Sequence, residues 1–132
     1  MKKAVLTISF LCLFASLKSF AQTGQICFIR STGTTGSAVN MSVYIDDSLA
    51  CKLKNKSYSL HDVPAGEHTV SAISGGLASK RKMPFKVTVA DGKISYINVI
   101  NMDNTTTEEV TENTGSQKIK MLIQNTNCSR KK

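Results

Sequence analysis

Between Gln25 and Met102 the chain alternates apolar and polar residues in short runs closed by turn residues, and this period of two restricts the fold more than any other feature. Gln25 to Ser31 reads as a first strand, followed by the polar loop Ser31 to Ser37. Met41, Val43 and Ile45 then alternate with Ser42, Tyr44 and Asp46, and Leu49, Cys51 and Leu53 alternate with Ala50, Lys52 and Lys54. With turn chemistry at Asp46-Asp47-Ser48 between them, these two segments predict a hairpin, apolar on one face and lysine-bearing on the other. Tyr58 to Val63 and His68 to Ser74 flank Pro64-Ala65-Gly66-Glu67, where proline pre-sets φ and glycine relieves the turn. Phe85 to Val89 and Ile94 to Met102 flank Ala90-Asp91-Gly92-Lys93, which reads as a second hairpin. Ile94 to Met102 is almost continuously apolar, as in a central strand covered on both faces. No stretch here offers a twelve-residue helical period. About seven strands and one doubly covered strand predict an all-β, antiparallel two-sheet β-sandwich.

The chain outside this stretch divides by composition. Met1-Lys2-Lys3 is a positive start, Ala4 to Leu17 an uncharged apolar run, and Ser19-Phe20-Ala21 a small-residue cleavage site. Residues 1–21 therefore read as a secretory signal peptide, too short in its apolar part to span a bilayer. The mature chain would start at Gln22 with residues 22–102 as the β-sandwich domain. Residues 103–116, rich in Thr, Asn and Glu, read as a polar linker. Residues 117–124 regain alternation, with Ile119, Met121 and Ile123 on one side, and suggest an additional C-terminal edge strand or a short amphipathic helix, the strand being preferred. Residues 125–132 are a basic tail.

Charge argues for an anionic partner more readily than for nucleic acid. Of 17 Lys and Arg, three lie in the leader, which leaves 14 against 9 acidic residues in the mature chain. The basic residues cluster at Lys80-Arg81-Lys82, at Arg130-Lys131-Lys132 and on alternate positions Lys52, Lys54 and Lys56. There is no Trp, and the few aromatics occupy core-like positions, so a stacking platform for bases is missing. These clusters are either solvated faces or points of attraction for anionic envelope lipid or polysaccharide.

The chemistry-bearing residues are sparse. Export permits disulfides, and Cys27, Cys51 and Cys128 remain after the leader takes Cys12. Cys27 and Cys51 both lie in apolar strand segments, so Cys27 with Cys51 is the first pairing to expect; the alternative is that both are buried, inert thiols. The only histidines, His61 and His68, flank one turn, and His61 and Asp62 point to opposite faces of a strand. No catalytic, cofactor or metal constellation emerges, since neither the His/Cys spacing nor Asp46-Asp47 matches a compact ligand set. Asp47-Ser48-Leu49 is similar to the short O-glycosylation triplet of exported Bacteroidota proteins.

Four segments carry a resemblance: Gly36-Ser37-Ala38, Val43-Tyr44-Ile45-Asp46, Lys52-Leu53-Lys54-Asn55-Lys56-Ser57-Tyr58 and Val63-Pro64-Ala65-Gly66-Glu67-His68. Together, from Gly36 to Val70, they resemble the core of an uncharacterised family of exported bacterial β-sandwich proteins sharing a domain of unknown function. The likeness extends more loosely to Met102. The Pro-x-Gly-x-His turn is also similar to one in small β-sandwich modules of surface-layer and carbohydrate-associated proteins. Where the family commonly has Asp-Gly in the first hairpin, this chain has Asp47-Ser48. The resemblance implies fold and export and brings no reaction.

The resulting expectation is a non-enzymatic binding or interaction module of the bacterial cell envelope, in the periplasm or at the cell surface. Its partner would be an envelope protein, polysaccharide or anionic surface, met by the loops at Ser31 to Ser37 and Gly75 to Lys82, with Lys80, Arg81 and Lys82 as contacts. Two alternatives remain: a small hydrolase with a Cys or His site, and a structural subunit assembling through an edge strand.

Overall fold

The computed structural model describes residues 21–33, 38–75, 82–101 and 105–128. Residues 1–20 of the expected leader, Thr34 to Ser37 and Gly76 to Arg81 of the expected contact loops, and the last four residues of the tail lie outside them. The described elements are β1 (Thr23–Arg30), β2 (Met41–Ile45), β3 (Ser48–Leu53), β4 (Ser57–Pro64) and β5 (Gly66–Ser74), then β6 (Phe85–Val89), β7 (Ile94–Asn101), β8 (Thr105–Val110), α1 (Glu112–Ile119) and β9 (Ile123–Gln124). They form a two-sheet β-sandwich with sheet orders β8-β7-β1-β4-β9 and β3-β2-β5-β6. Two ladders of the first sheet, β1 with β7 and β4 with β9, run parallel, and the remainder are antiparallel.

The alternation sets the core. Ile26 and Phe28 of β1, Val43 of β2, Leu53 of β3, Val70 and Ala72 of β5, Val87 and Val89 of β6, and Ile97 and Val99 of β7 meet between the sheets. The β2–β3 hairpin forms as the pattern requires, with Asp46 and Asp47 both at positive φ (49° and 63°). That double left-handed turn matches the twist of the strands it joins, and Asp tolerates the conformation without glycine. Ala90 to Lys93, expected as a hairpin, instead arches from one sheet to the other: β6 pairs with β5 and β7 with β1 and β8. Gly92, at φ +67°, donates its N–H to the Thr23 carbonyl (2.8 Å), and Gln25 donates to the Lys93 carbonyl (2.9 Å), so the arch is stitched to β1. Gly24 lets that approach happen, since a Cβ there would lie 2.6 Å from the Ala90 oxygen. β7 lies inside its sheet between β8 and β1, with Ile97 and Val99 covered on the inner face and Tyr96 on the outer, as expected of a doubly covered strand, and β1 is the middle strand.

The segment expected to be a linker, 103–116, is structured from Thr105 onward. Thr105–Val110 extends the first sheet as β8, and Thr111 then caps α1 by accepting from the Thr114 N–H. Glu112 in the first turn and Lys118 in the last complement the helix dipole. Gly115 faces the Tyr96 ring so closely that a Cβ would collide with it. Polar composition hid this element because one glycine, rather than an apolar stripe, makes its central contact. Residues 117–124 split: 117–119 finish the helix, Leu122 tucks inward, and only Ile123–Gln124 is a strand, beside β4. Cys27, Ile29 and Tyr96 on the outer face of the first sheet thus gain a cover from Tyr58, Leu60, Ile94, Val110, Ile119 and Leu122.

Candidate anion-binding groove

At one edge of the sandwich a groove of about 380 Å³ lies between the end of β3, the β3–β4 turn and the segment from β9 to Asn127. Its lining includes Lys52, Lys54, Lys56, Asn40, Asn125 and Ile123, and among the described residues no acidic or aromatic side chain contributes to it. Lys52 and Lys54 are exposed on either side of buried Leu53, the outward half of the β3 alternation. Lys56 follows at φ 54° in the turn. That turn is held by Asn55, whose Oδ1 accepts from the Thr32 N–H (3.0 Å), the Thr32 hydroxyl (2.9 Å) and the Lys56 N–H (2.9 Å). Ser57 donates its hydroxyl to the Lys54 carbonyl (2.7 Å), closing the same bend.

The opposite wall is a strap made by the chain's C-terminal segment. The Ile123 N–H donates to the Lys56 carbonyl (3.1 Å) and the Asn125 N–H to the Tyr58 carbonyl (2.8 Å), while Asn125 Nδ2 donates to the Lys52 carbonyl (3.0 Å). The strap then ends in a disulfide from Cys128 to Cys51 of β3, so it crosses from the edge of one sheet to the edge of the other. This corrects the expected pairing of Cys27 with Cys51. Cys27 lies between Ile26 and Phe28 on β1 and therefore faces outward under α1, whereas Cys51 faces the space between the sheets. The sheet itself separates them. Cys27 is a free, buried thiol whose pKa is pushed up to about 12 by desolvation, which keeps it protonated and unreactive. Parity along β1 carried that signal in the sequence; the position of Cys128 did not, because its polar neighbours turn inward to bond backbone.

Of the residues expected to meet an acidic partner, Lys82 is described, and it is engaged within the molecule. Its Nζ sits 4.1 Å from the Tyr44 ring centroid and 3.9 Å from Asp47 Oδ1, above the β2–β3 hairpin. Lys80 and Arg81 fall outside the described residues, so the cationic residues that the structure gathers into a cleft are Lys52, Lys54 and Lys56.

The histidines have structural partners. His68 Nδ1 is 2.7 Å from Asp46 Oδ2 and its Nε2 is 2.7 Å from the Pro64 carbonyl oxygen. Both acceptors are satisfied together only by the doubly protonated ring, so the Asp46 hydrogen bond first, then that to Pro64, raises the His68 pKa. Asp46 is held low by the Thr69 N–H and by His68. The Pro-x-Gly-x-His turn is thereby tied to the first hairpin. His61 lies on the inner side of β4, edge-on to Phe28 (5.8 Å), with Nε2 2.9 Å from the hydroxyl of fully buried Ser59. Burial lowers its pKa. Among the described residues no three His, Cys, Asp or Glu side chains come together as metal ligands would, and no helix is long and apolar enough to cross a membrane.

Comparison of the chain with family models, with characterised proteins and with solved structures found no match.

Proposed function

We propose that this protein is an exported, non-enzymatic binding module of the bacterial cell envelope, acting in the periplasm or at the cell surface, and that the lysine-lined groove takes an anionic ligand. The carrying observation is that Lys52, Lys54 and Lys56 line one cleft to which, among the described residues, no carboxylate contributes. Three lysines lining one cleft raise its potential and favour the entry of an anion. The disulfide-closed strap suits an oxidising compartment, in keeping with the leader-like residues 1–21 and the resemblance to exported β-sandwich proteins. The hydrolase alternative gains nothing from this arrangement: Cys51 and Cys128 are bonded to each other, Cys27 is covered, and the hydroxyl beside His61 is buried.

Two measurements test the reading. Intact mass of the protein recovered from cell envelopes should correspond to a chain beginning at Gln22 with one disulfide, and a chain retaining residues 1–21 in the cytoplasm would defeat the export claim. Binding to polygalacturonate or to anionic vesicles should exceed binding to neutral dextran and vanish in Lys52→Gln/Lys54→Gln/Lys56→Gln. Equal retention of that variant and the native protein would defeat the groove.

A further inference from the structure

Beside the groove the strap presents two apolar side chains that the fold does not use. Met121 is 83% exposed and Ile123, which also lines the groove, 77% exposed, although Leu122 between them packs into the outer core. Their positions are set by backbone hydrogen bonds: Met121 donates to the Lys118 carbonyl (3.2 Å), Leu122 to the Ile119 carbonyl (3.1 Å) and Ile123 to the Lys56 carbonyl (3.1 Å). The Cys51–Cys128 bond holds the end of the same segment. Single exposed apolar residues are ordinary, but here two of them, two residues apart, are exposed on a segment tied down by backbone hydrogen bonds and a disulfide. Lys118 and Lys120 precede them in the chain, and Lys52, Lys54 and Lys56 border the groove that Ile123 lines.

We infer that this edge of the molecule docks on an anionic bilayer surface, with the groove lysines against lipid headgroups and Met121 and Ile123 inserted at the acyl boundary. The inference rests on the proposed reading that the groove takes an anion, and it names the source of that anion. Cations paired with a projecting apolar tip match the two layers of a membrane interface, charge outside and hydrocarbon beneath. A polysaccharide would account for the lysines alone. Among the described residues the groove also lacks an aromatic side chain on which a sugar face commonly stacks.

Vesicle sedimentation tests this with the chain beginning at Gln22, which contains every described strand and the helix and omits the apolar residues 1–21. The protein should pellet with phosphatidylglycerol-containing vesicles, not with phosphatidylcholine alone, and added salt should release it. Lys52→Gln/Lys54→Gln/Lys56→Gln should weaken vesicle binding by about a hundredfold, given the contribution of each cation near such a surface. Met121→Ser, which lies outside the groove lining, should weaken it by about tenfold through lost apolar burial while leaving polygalacturonate binding unchanged, and Met121→Ser/Ile123→Ser should weaken vesicle binding further. Native-like vesicle binding by the Met121/Ile123 variant would overturn membrane docking, as would binding to polygalacturonate with none to vesicles; the anion-binding groove would survive either result. Failure to bind both anionic probes would overturn the groove reading as well.

Discussion

The two faces of the β8-β7-β1-β4-β9 sheet are covered in different ways. Its inner face meets the second sheet through Ile26, Phe28, Ile97 and Val99, all essentially inaccessible, and the contact is built from inward-facing apolar residues on seven strands, β1 to β7. Its outer face is covered over a narrower strip, by one short helix and a strap whose own residues are mostly polar. There the attachment rests on a glycine seated against Tyr96, a threonine cap, a few backbone hydrogen bonds and one disulfide. The inner layer is held by apolar area, the outer by a small number of specific contacts. Such a layer can open without unfolding the rest, and it also carries the groove wall and the Met121–Ile123 projection.

If that contrast is right, Phe28→Ala should cost about 3–5 kcal/mol and lower the unfolding midpoints reported by every probe together, since its cavity opens in the shared core. Divergent midpoints would mean that the layers are already independent. Reduction of Cys51–Cys128 frees a loop spanning a sequence separation of 77, worth up to about 4.5 kcal/mol on the chain-entropy account. Hydrogen exchange should then lose protection first at Ile123 and Asn125 and keep it at the β2–β5 ladder. Uniform loss would remove the distinction. Gly115→Ala should cost about 1–3 kcal/mol through the collision with Tyr96, and by loosening the helix it should make Cys27 accessible to alkylation under native conditions. An inert Cys27 in a folded Gly115→Ala protein would show that the helix can shift without uncovering β1.

The smallest effect is a pH dependence. The folded pKa of His68 is raised above its ordinary 6.5, so its link to Asp46 and Pro64 is fully stabilising below that value and is lost as pH rises through the folded pKa. Asp46, lowered from 3.8, contributes above that value and loses its contribution as pH falls through the depressed one. His61, lowered by burial, acts in the opposite sense to His68 and costs stability as pH falls below 6.5. Denaturant titrations of His61→Leu should therefore show stability falling by about 1 kcal/mol from pH 5 to pH 8, and the additional change His68→Gln should abolish the slope. A flat profile with His68 intact would mean that the link does not bear on stability.

The inner layer was readable residue by residue. Period-two alternation located seven of the nine described strands and placed the lysines of β3 outward, because side-chain parity along a strand is a local property. Lys52, Lys54 and Lys56 were visible as a basic row, but not as one wall of a groove, since the other wall is supplied by residues some seventy positions away. The Ala90–Lys93 turn was legible as a turn and not as an arch, because turn chemistry sets the local bend and not the sheet that each strand then joins.

The outer layer was not readable from composition. Asn104 to Ser116 carries too little apolar surface to suggest order, and its helix is stabilised by a surface it does not contain: the strip of Cys27, Ile29 and Tyr96 that the sandwich leaves open. The disulfide followed the same logic. Local polarity suggested that Cys128 was free, but the strap hydrogen bonds to Lys52 and Tyr58 bring it against Cys51. Local patterning was sufficient for the strands, their faces and the two-layer plan, because alternation needs only neighbours along the chain. Which strands share a sheet, which cysteines meet and what closes the groove depended on assembly, because those contacts arise between segments whose sequences carry no record of each other.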